Sequence, residues 1–214
     1  IQLAYCWAHA RRKLVEITRT GAAPIAEEGV RRIGELYRIE VDIRSRGDDL
    51  IIHHDAFAQG ELFSDWIEGY RHGTLILNVK EEGLEQRLLG IMRARQIDDF
   101  FFLDQSFPFL IKTAKAGERR CAVRVSEFES VETALSLAGL VDWVWVDCFT
   151  RFPLTGGDAG KLKAAGFKLC LVSPELQGRD PHTHIPDMAT LLQSQGISVD
   201  AVCTKQPALW EPWR

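Results

Sequence analysis

From Ile39 onward the chain alternates short apolar runs with amphipathic stretches. The runs are IEVDI (39–43), LIIHH (50–54), LILNV (75–79), FFFL (100–103), CAVRV (121–125), WVWVD (143–147), KLCLV (168–172) and DAVCT (200–204). Helical spacing fills the intervals at 84–96, 107–116, 130–138, 158–165 and 186–195. Most of these stretches end at a glycine (Gly117, Gly139, Gly166, Gly196), the residue favoured just past a helix C-terminus. Strands alternating with helices predict parallel pairing through right-handed crossovers. Runs apolar on both faces predict a sheet covered on both sides. The first two runs are joined by a Gly-Asp-Asp turn at 47–49 and form either one bent strand or a hairpin. Counted as one unit, they bring the total to seven βα repeats, one short of the eight that close a barrel. A doubly wound open sheet is the alternative, disfavoured because no Gly-rich phosphate loop follows any strand.

Residues 1–38 follow a different grammar. Leu14, Ile17, Ile25, Val30, Ile33, Leu36 and Tyr37 recur at three- and four-residue spacing, and Gly21 to Pro24 interrupts them. The spacing predicts helices over 4–19 and 25–38, a helical hairpin with Pro24 at the start of its second arm. Charge divides at the same place. Residues 1–38 hold seven Lys/Arg against four Asp/Glu, a net +3, and the remainder holds nineteen against twenty-six, a net −7. The asymmetry points to two segments of separate origin, 1–38 and 39–214. No run of eighteen apolar residues occurs, so no membrane span is expected. The charges of IQLAYCWAHARRKL follow its apolar stretch, unlike a secretory signal, and a cytoplasmic location is expected. The five cysteines (6, 121, 148, 170, 203) are scattered without a C-x-x-C and read as buried free thiols.

Polar residues cluster at the carboxyl ends of the predicted strands, where a (β/α)8 barrel keeps its active site. Glu40 and Asp42 are two apart on one strand and share a face. They either hold an oxygen-seeking cation between them or form a solvated strand end. Of His53 and His54, one must face the barrel mouth; the competing reading is a turn histidine bonded to Asp55. Asn78 and Lys80 share a face at the end of LILNVK, offering a neutral oxygen ligand and a cation for a phosphate. Asp104, Arg124, Glu127, Asp147 and Glu175 end or follow later strands and are expected to line the mouth. Lys205, His182 and His184 are expected in surface loops.

In order, IEVDIRSRGDDLIIHHD, LILNVK and DAVCTKQP resemble the glycerophosphodiester phosphodiesterase family of phospholipase C-like barrels. The family pattern is E-x-D, a turn, H-D, then E-x-K, and near the end T-D-x-P. The resemblance covers 39–214 and implies an α/β fold, an incomplete (β/α)8 TIM-type barrel lacking its first strand. It implies a divalent metal, Mg²⁺ or Ca²⁺, on Glu40, Asp42 and Asn78. His54 and Lys80 would be catalytic, and Arg124 and Glu175 would bind substrate, a small phosphodiester. Asn78 stands where the family has a third carboxylate, and Lys205 where it has Asp after Thr204. The family's opening strand, ending His-Arg-Gly, has no match upstream of Ile39; His9 in AHARR lacks the glycine. Impaired or absent hydrolysis is therefore expected.

Residues 1–38, with CWAHARRK and a following P-I-A…L-Y-x-I-E, resemble the bacterial insertion-sequence transposases of the sixty-six group. The catalytic acids of that family are not in this piece. Both patterns can read I-E-x-x-I-R near Ile39–Glu40, the expected join. DNA binding through Arg11, Arg12, Lys13 and Arg19 is the alternative function, opposed by the acidic remainder. A third reading is a non-functional fusion product, whose open barrel edges would invite oligomers.

Overall fold

A computed structural model describes residues 39–70 and 73–213. The two predicted N-terminal helices, Cys6, His9 and the basic residues from Arg11 to Arg19 lie outside them. Nine strands alternate with helices in chain order. They are β1 Ile39–Arg46, β2 Asp49–Ile52, β3 Glu61–Leu62, α1 Phe63–Glu68, β4 Leu75–Val79, α2 Glu85–Ala94, β5 Phe100–Leu103, α3 Phe107–Lys115 and β6 Ala122–Val125. Then follow α4 Val131–Leu135, β7 Trp143–Val146, α5 Gly156–Ala164, β8 Lys168–Val172, a 3₁₀ turn Pro174–Gln177, α6 Pro181–Ser194, β9 Ala201–Cys203, α7 Pro207–Trp210 and a final turn Glu211–Trp213.

Three of the helices, α4, α5 and α6, start at a side-chain cap. Ser130 accepts from the Thr133 N–H, Asp180 accepts from Thr183, and Thr155 forms a reciprocal capping box with Asp158. At the far ends, Gly117 (φ 95°) and Gly166 (φ 91°) take the left-handed conformation that stops a helix without side-chain strain. One boundary differs from expectation. Helix α6 begins at Pro181, because Asp180 caps it and Pro181 suits its first turn; Pro186 lies inside the helix. His182 and His184 are therefore helical rather than in a loop.

β1 and β2 form an antiparallel hairpin (Ile43 opposite Ile52), which settles the first two runs. The two-residue β3 adds to β2, also antiparallel. The remaining strand pairings are parallel: β1 with β4, β4 with β5, then β6 with β7, β7 with β8 and β8 with β9. A single parallel bridge, Phe102 to Cys121, joins the two sheets. The parallel strands run in one direction, β1-β4-β5 and β6-β7-β8-β9; the one reversal, at β1, is made by the antiparallel β2 and β3 and not by parallel strands as in a doubly wound sheet. Among the described residues β9 pairs only with β8, and the hairpin covers only the upper part of β1.

Strand alternation sorts the apolar residues into two layers. One set, with Leu75, Leu77, Val79, Phe100, Phe102, Val144, Val146, Leu169 and Leu171, packs under the helices. The other consists of strand residues, among them Ile76, Phe101, Leu103, Ala122, Trp143, Trp145, Cys170 and Cys203, and is the inside of a curved sheet. Phe101 stacks on Trp143 at 4.7 Å, with the small Ala122 on the strand between them. Cys121, Cys148, Cys170 and Cys203 are buried free thiols. No helix among the described residues is long and apolar enough to cross a membrane.

Phe101 has no exposed surface. Phe101→Ala should lower unfolding free energy by about 3–5 kcal/mol, the cost of an aromatic-sized cavity, measured by urea denaturation.

Candidate active site

The carboxyl ends of the strands bring together most of the residues picked from sequence. Asp42 on β1 is the register partner of Asn78 on β4, so their side chains stand side by side on the inner face, with Glu40 one pleat below. Asn78 Nδ2 donates to Glu40 Oε1 at 2.6 Å, and the Cys203 thiol approaches Glu40 Oε2 at 3.5 Å from β9. Burial pushes the Glu40 carboxyl above its usual range; the Asn78 hydrogen bond opposes this and the charge of Asp42 adds to it.

Lys80 Nζ lies 3.2 Å from Asp42 Oδ1 and 3.4 Å from Asp104 Oδ2. The first contact has ion-pair distance without hydrogen-bond alignment, and Asp42 Oδ1 is left with no donor. Asn78 Oδ1, on a side chain 3% exposed, has none either. These oxygens with Glu40 form an all-oxygen set of the kind hard cations prefer. Only two of its three residues are carboxylates, and among the described residues no three His, Cys, Asp or Glu side chains gather as a metal-binding group.

Arg124 projects from β6 into the same mouth. It donates to Asp104 and, at 2.8 Å, to Asp147 Oδ2, with Glu129 at 3.9 Å and the Phe149 ring at 6.0 Å. Its guanidinium is thus engaged by protein carboxylates. Asp147 also accepts from Cys148 N and Gln177, and burial pushes its carboxyl upward against the pull of Arg124. Glu175 accepts from Ser173, from Thr204 Oγ1 at 2.5 Å and from the Lys205 N–H at 2.8 Å, so it pins the loop after β9. Glu127 accepts backbone N–H groups of Phe149, Thr150 and Arg151. Burial opposes its ionisation, but those donors together hold its carboxyl down at about 2.

His54 stands apart. Its side chain is 74% exposed and its Nδ1 lies 2.9 Å from Asp55 Oδ1, the turn arrangement rather than the mouth-facing one. Its carbonyl accepts from Arg44, which also reaches the Lys80 carbonyl and ties the hairpin to the β4 end. His53 continues the hairpin register opposite Asp42, donating its N–H to the Asp42 carbonyl, while its ring accepts from the Asp55 N–H. Neither imidazole contacts the Glu40–Asp42–Lys80 cluster among the hydrogen bonds of the described residues. Asp104, noted from sequence only as mouth-lining, joins Lys80 to Arg124; its backbone has φ 59°, which no sequence signal announces. A separate cavity of about 550 Å³, lined by Ile67, Tyr70, Arg95 and Asp99 among others, opens at the opposite ends of the strands.

Comparison with known proteins divides the chain in two. The Transposase IS66 family matches residues 1–71. Uncharacterized protein y4jD of Sinorhizobium fredii is 44% identical over 46 residues, 22% of this chain and 9% of that protein. The chain thus spans less than a tenth of the length of the curated relative it matches. The fold has other relatives. A protein of Agrobacterium tumefaciens assigned as a glycerophosphoryl diester phosphodiesterase superposes with TM-score 0.59 at 14% identity, over 81% of this chain and 83% of that one. A glycerophosphodiester phosphodiesterase of the same organism gives 0.55 at 16%, over 82% and 85%. The chain therefore joins a transposase-like segment to the TIM-barrel-like α/β fold of these phosphodiesterases, and residues 39–71 fall within the transposase match while supplying the first strands of that fold.

Two carboxylates make opposite pH predictions. Glu40 binds its proton more tightly folded than unfolded, so its contribution to stability falls as pH rises above about 4.5. Glu40→Gln should stabilise the protein progressively over that range. Glu127 is depressed, so the stability it contributes is full above about 4.5 and is lost as pH falls toward about 2. The deficit of Glu127→Gln should shrink in the same direction. Urea titrations of the three proteins at several pH values read both slopes.

Proposed function

We propose that the fold binds a divalent cation, Mg²⁺ or Ca²⁺, and with it a small phosphodiester, and that hydrolysis is weak or absent. The observation that carries this reading is the convergence of Glu40, Asp42, Asn78 and Lys80 at one rim, where among the described residues Asn78 Oδ1 accepts no hydrogen bond and Asp42 Oδ1 has only the unaligned ion pair with Lys80. An unmet buried acceptor such as Asn78 Oδ1 costs about 1–3 kcal/mol, and a cation would relieve it while giving Asp42 Oδ1 a full partner. Charge supports the same conclusion. Glu40, Asp42, Asp104 and Asp147 outweigh Lys80 and Arg124 by two negative charges when all are ionised, so an anionic ester needs added positive charge to enter.

Glu40, Asp42 and Asn78 Oδ1 would hold the cation, which would polarise a phosphoryl oxygen as a Lewis acid. Lys80 Nζ stands where it can neutralise a second phosphate oxygen. Arg124 and Glu175 would frame the mouth, since both are engaged by protein groups, rather than bind substrate. Proton transfer to the departing alkoxide would fall to His54, whose exposed position beside Asp55 supports slow turnover. Among the described residues lower β1 and β9 each have an unpaired edge, which supports a barrel wall lacking one strand, and such edges favour self-association.

Calorimetry with Mg²⁺ or Ca²⁺ tests the proposal. One equivalent should bind, Glu40→Gln should weaken binding by at least about tenfold, and Asn78→Asp, which restores a carboxylate, should strengthen it by a similar factor. Slow, cation-dependent cleavage of bis(p-nitrophenyl) phosphate should accompany it. Absence of binding in both the native protein and Asn78→Asp would sink the proposal. The match of residues 1–71 favours a second reading, a transposase-derived DNA-binding segment using Arg11, Arg12, Lys13 and Arg19. A gel shift that weakens steeply with salt and is lost when Arg11 and Arg12 are replaced would support that reading instead.

A further inference from the structure

We propose that Asp104 is a positioning residue that holds the Lys80 ammonium partly clear of Asp42, so that the cation-binding oxygens stay accessible. The inference rests on the cation-binding reading above. Its starting point is a break in strand alternation. On β5, Phe101 and Leu103 point inward while Phe100 and Phe102 point toward the helices, so alternation alone would send residue 104 outward. Asp104 instead adopts φ 59°, and its carboxylate turns back to meet both Lys80 and Arg124. Asp enters the left-handed region more readily than most residues, and here that angle is what reverses the direction of the side chain.

The next residue, Gln105, turns to the helix side, where its Nε2 donates to Glu85 Oε1 at 3.1 Å and to Thr113 Oγ1 at 3.0 Å. Glu85 is only 4% exposed, in the first turn of α2. Gln105 is thus clamped between α2 and α3, which fixes the backbone that aims Asp104.

Without Asp104, the attraction on Lys80 would fall wholly on Asp42. Lys80 and a bound cation compete for the same oxygen, Asp42 Oδ1, which the ammonium approaches at 3.2 Å without aligning a hydrogen bond. Asp104, at 3.4 Å on the other side, divides the ammonium between two carboxylates. When a cation enters, Lys80 can withdraw to Asp104 and remain at the rim, facing an incoming phosphate oxygen.

The test is a double-mutant cycle read with Ca²⁺ alone, together with a crystal structure of Asp104→Asn grown without divalent cations. Asn tolerates a positive φ, so the fold should survive. Asp104→Gly, which relaxes the backbone, should behave alike if the carboxylate is what matters. In otherwise native protein Asp104→Asn should weaken Ca²⁺ binding roughly tenfold, and in Lys80→Met less than about twofold. In the cation-free crystal, Lys80 should close on Asp42 into a direct hydrogen bond. A loss of affinity that persists in Lys80→Met, or Lys80 unmoved in Asp104→Asn, overturns the proposal. If native protein binds no Ca²⁺, the cation-binding reading falls by itself, and the Lys80 position in that crystal alone decides the role of Asp104.

Discussion

Residues two apart on a strand must point the same way, and here that rule forces two carboxylates, Glu40 and Asp42, onto the concave face of a curved sheet. Like charges brought together in a partly desolvated space repel far more strongly than in water. The arrangement of the mouth follows from this constraint. Asn78 donates to Glu40, Lys80 spans Asp42 and Asp104, and Arg124 spans Asp104 and Asp147. Compensation stops short of completion, since two buried oxygens lack donors and the burial of Glu40 disfavours its charge. It is on this unrelieved polarity that the proposed cation site rests.

That cost is tolerable because the surrounding sheet is well packed. Alternation sends one set of strand residues under the helices and the other into the interior, so each strand from β4 to β9 is held on both faces. The rim lies just above the inner layer, where Phe101, Trp143 and Trp145 fill the floor with rigid aromatic rings. Charged groups at the rim are therefore carried by well-packed strand ends rather than by free loops, apart from the hairpin region bearing His53 and His54.

Residues 39–71 show how a segment can match one family and build the fold of another. Their sequence falls within a transposase match, yet IEVDI pairs in parallel register with LILNV over five residues. Alternating Ile and Val suit a half-buried pleated surface whatever the origin of the segment, and pairing with β4 decides the outcome. The carboxylates of that strand take their place in the mouth by register with β4.

Local periodicity determined most of the fold. LILNV, FFFL and KLCLV coincide with β4, β5 and β8, and α4 and α5 start at Ser and Thr caps while Gly117, Gly139 and Gly166 take left-handed angles after α3, α4 and α5, all signals carried by neighbouring residues. The two-residue β3, α1, the 3₁₀ turn Pro174–Gln177, the start of α6 and the short terminal turns escaped that reading. The grouping of Glu40, Asp42, Asn78 and Lys80 was legible for the same reason, since alternation along two strands and a strand-end rule suffice to place them. What tertiary structure alone decided is where each charge goes next. His54 turned to Asp55, Arg124 was taken up by Asp104 and Asp147, and Asp104 took a left-handed backbone angle beside Gln105, which is bonded to Glu85 and Thr113. Those outcomes depend on partners 20 or more residues away as well as on local bonds, and a pattern of period two or 3.6 carries no information about them.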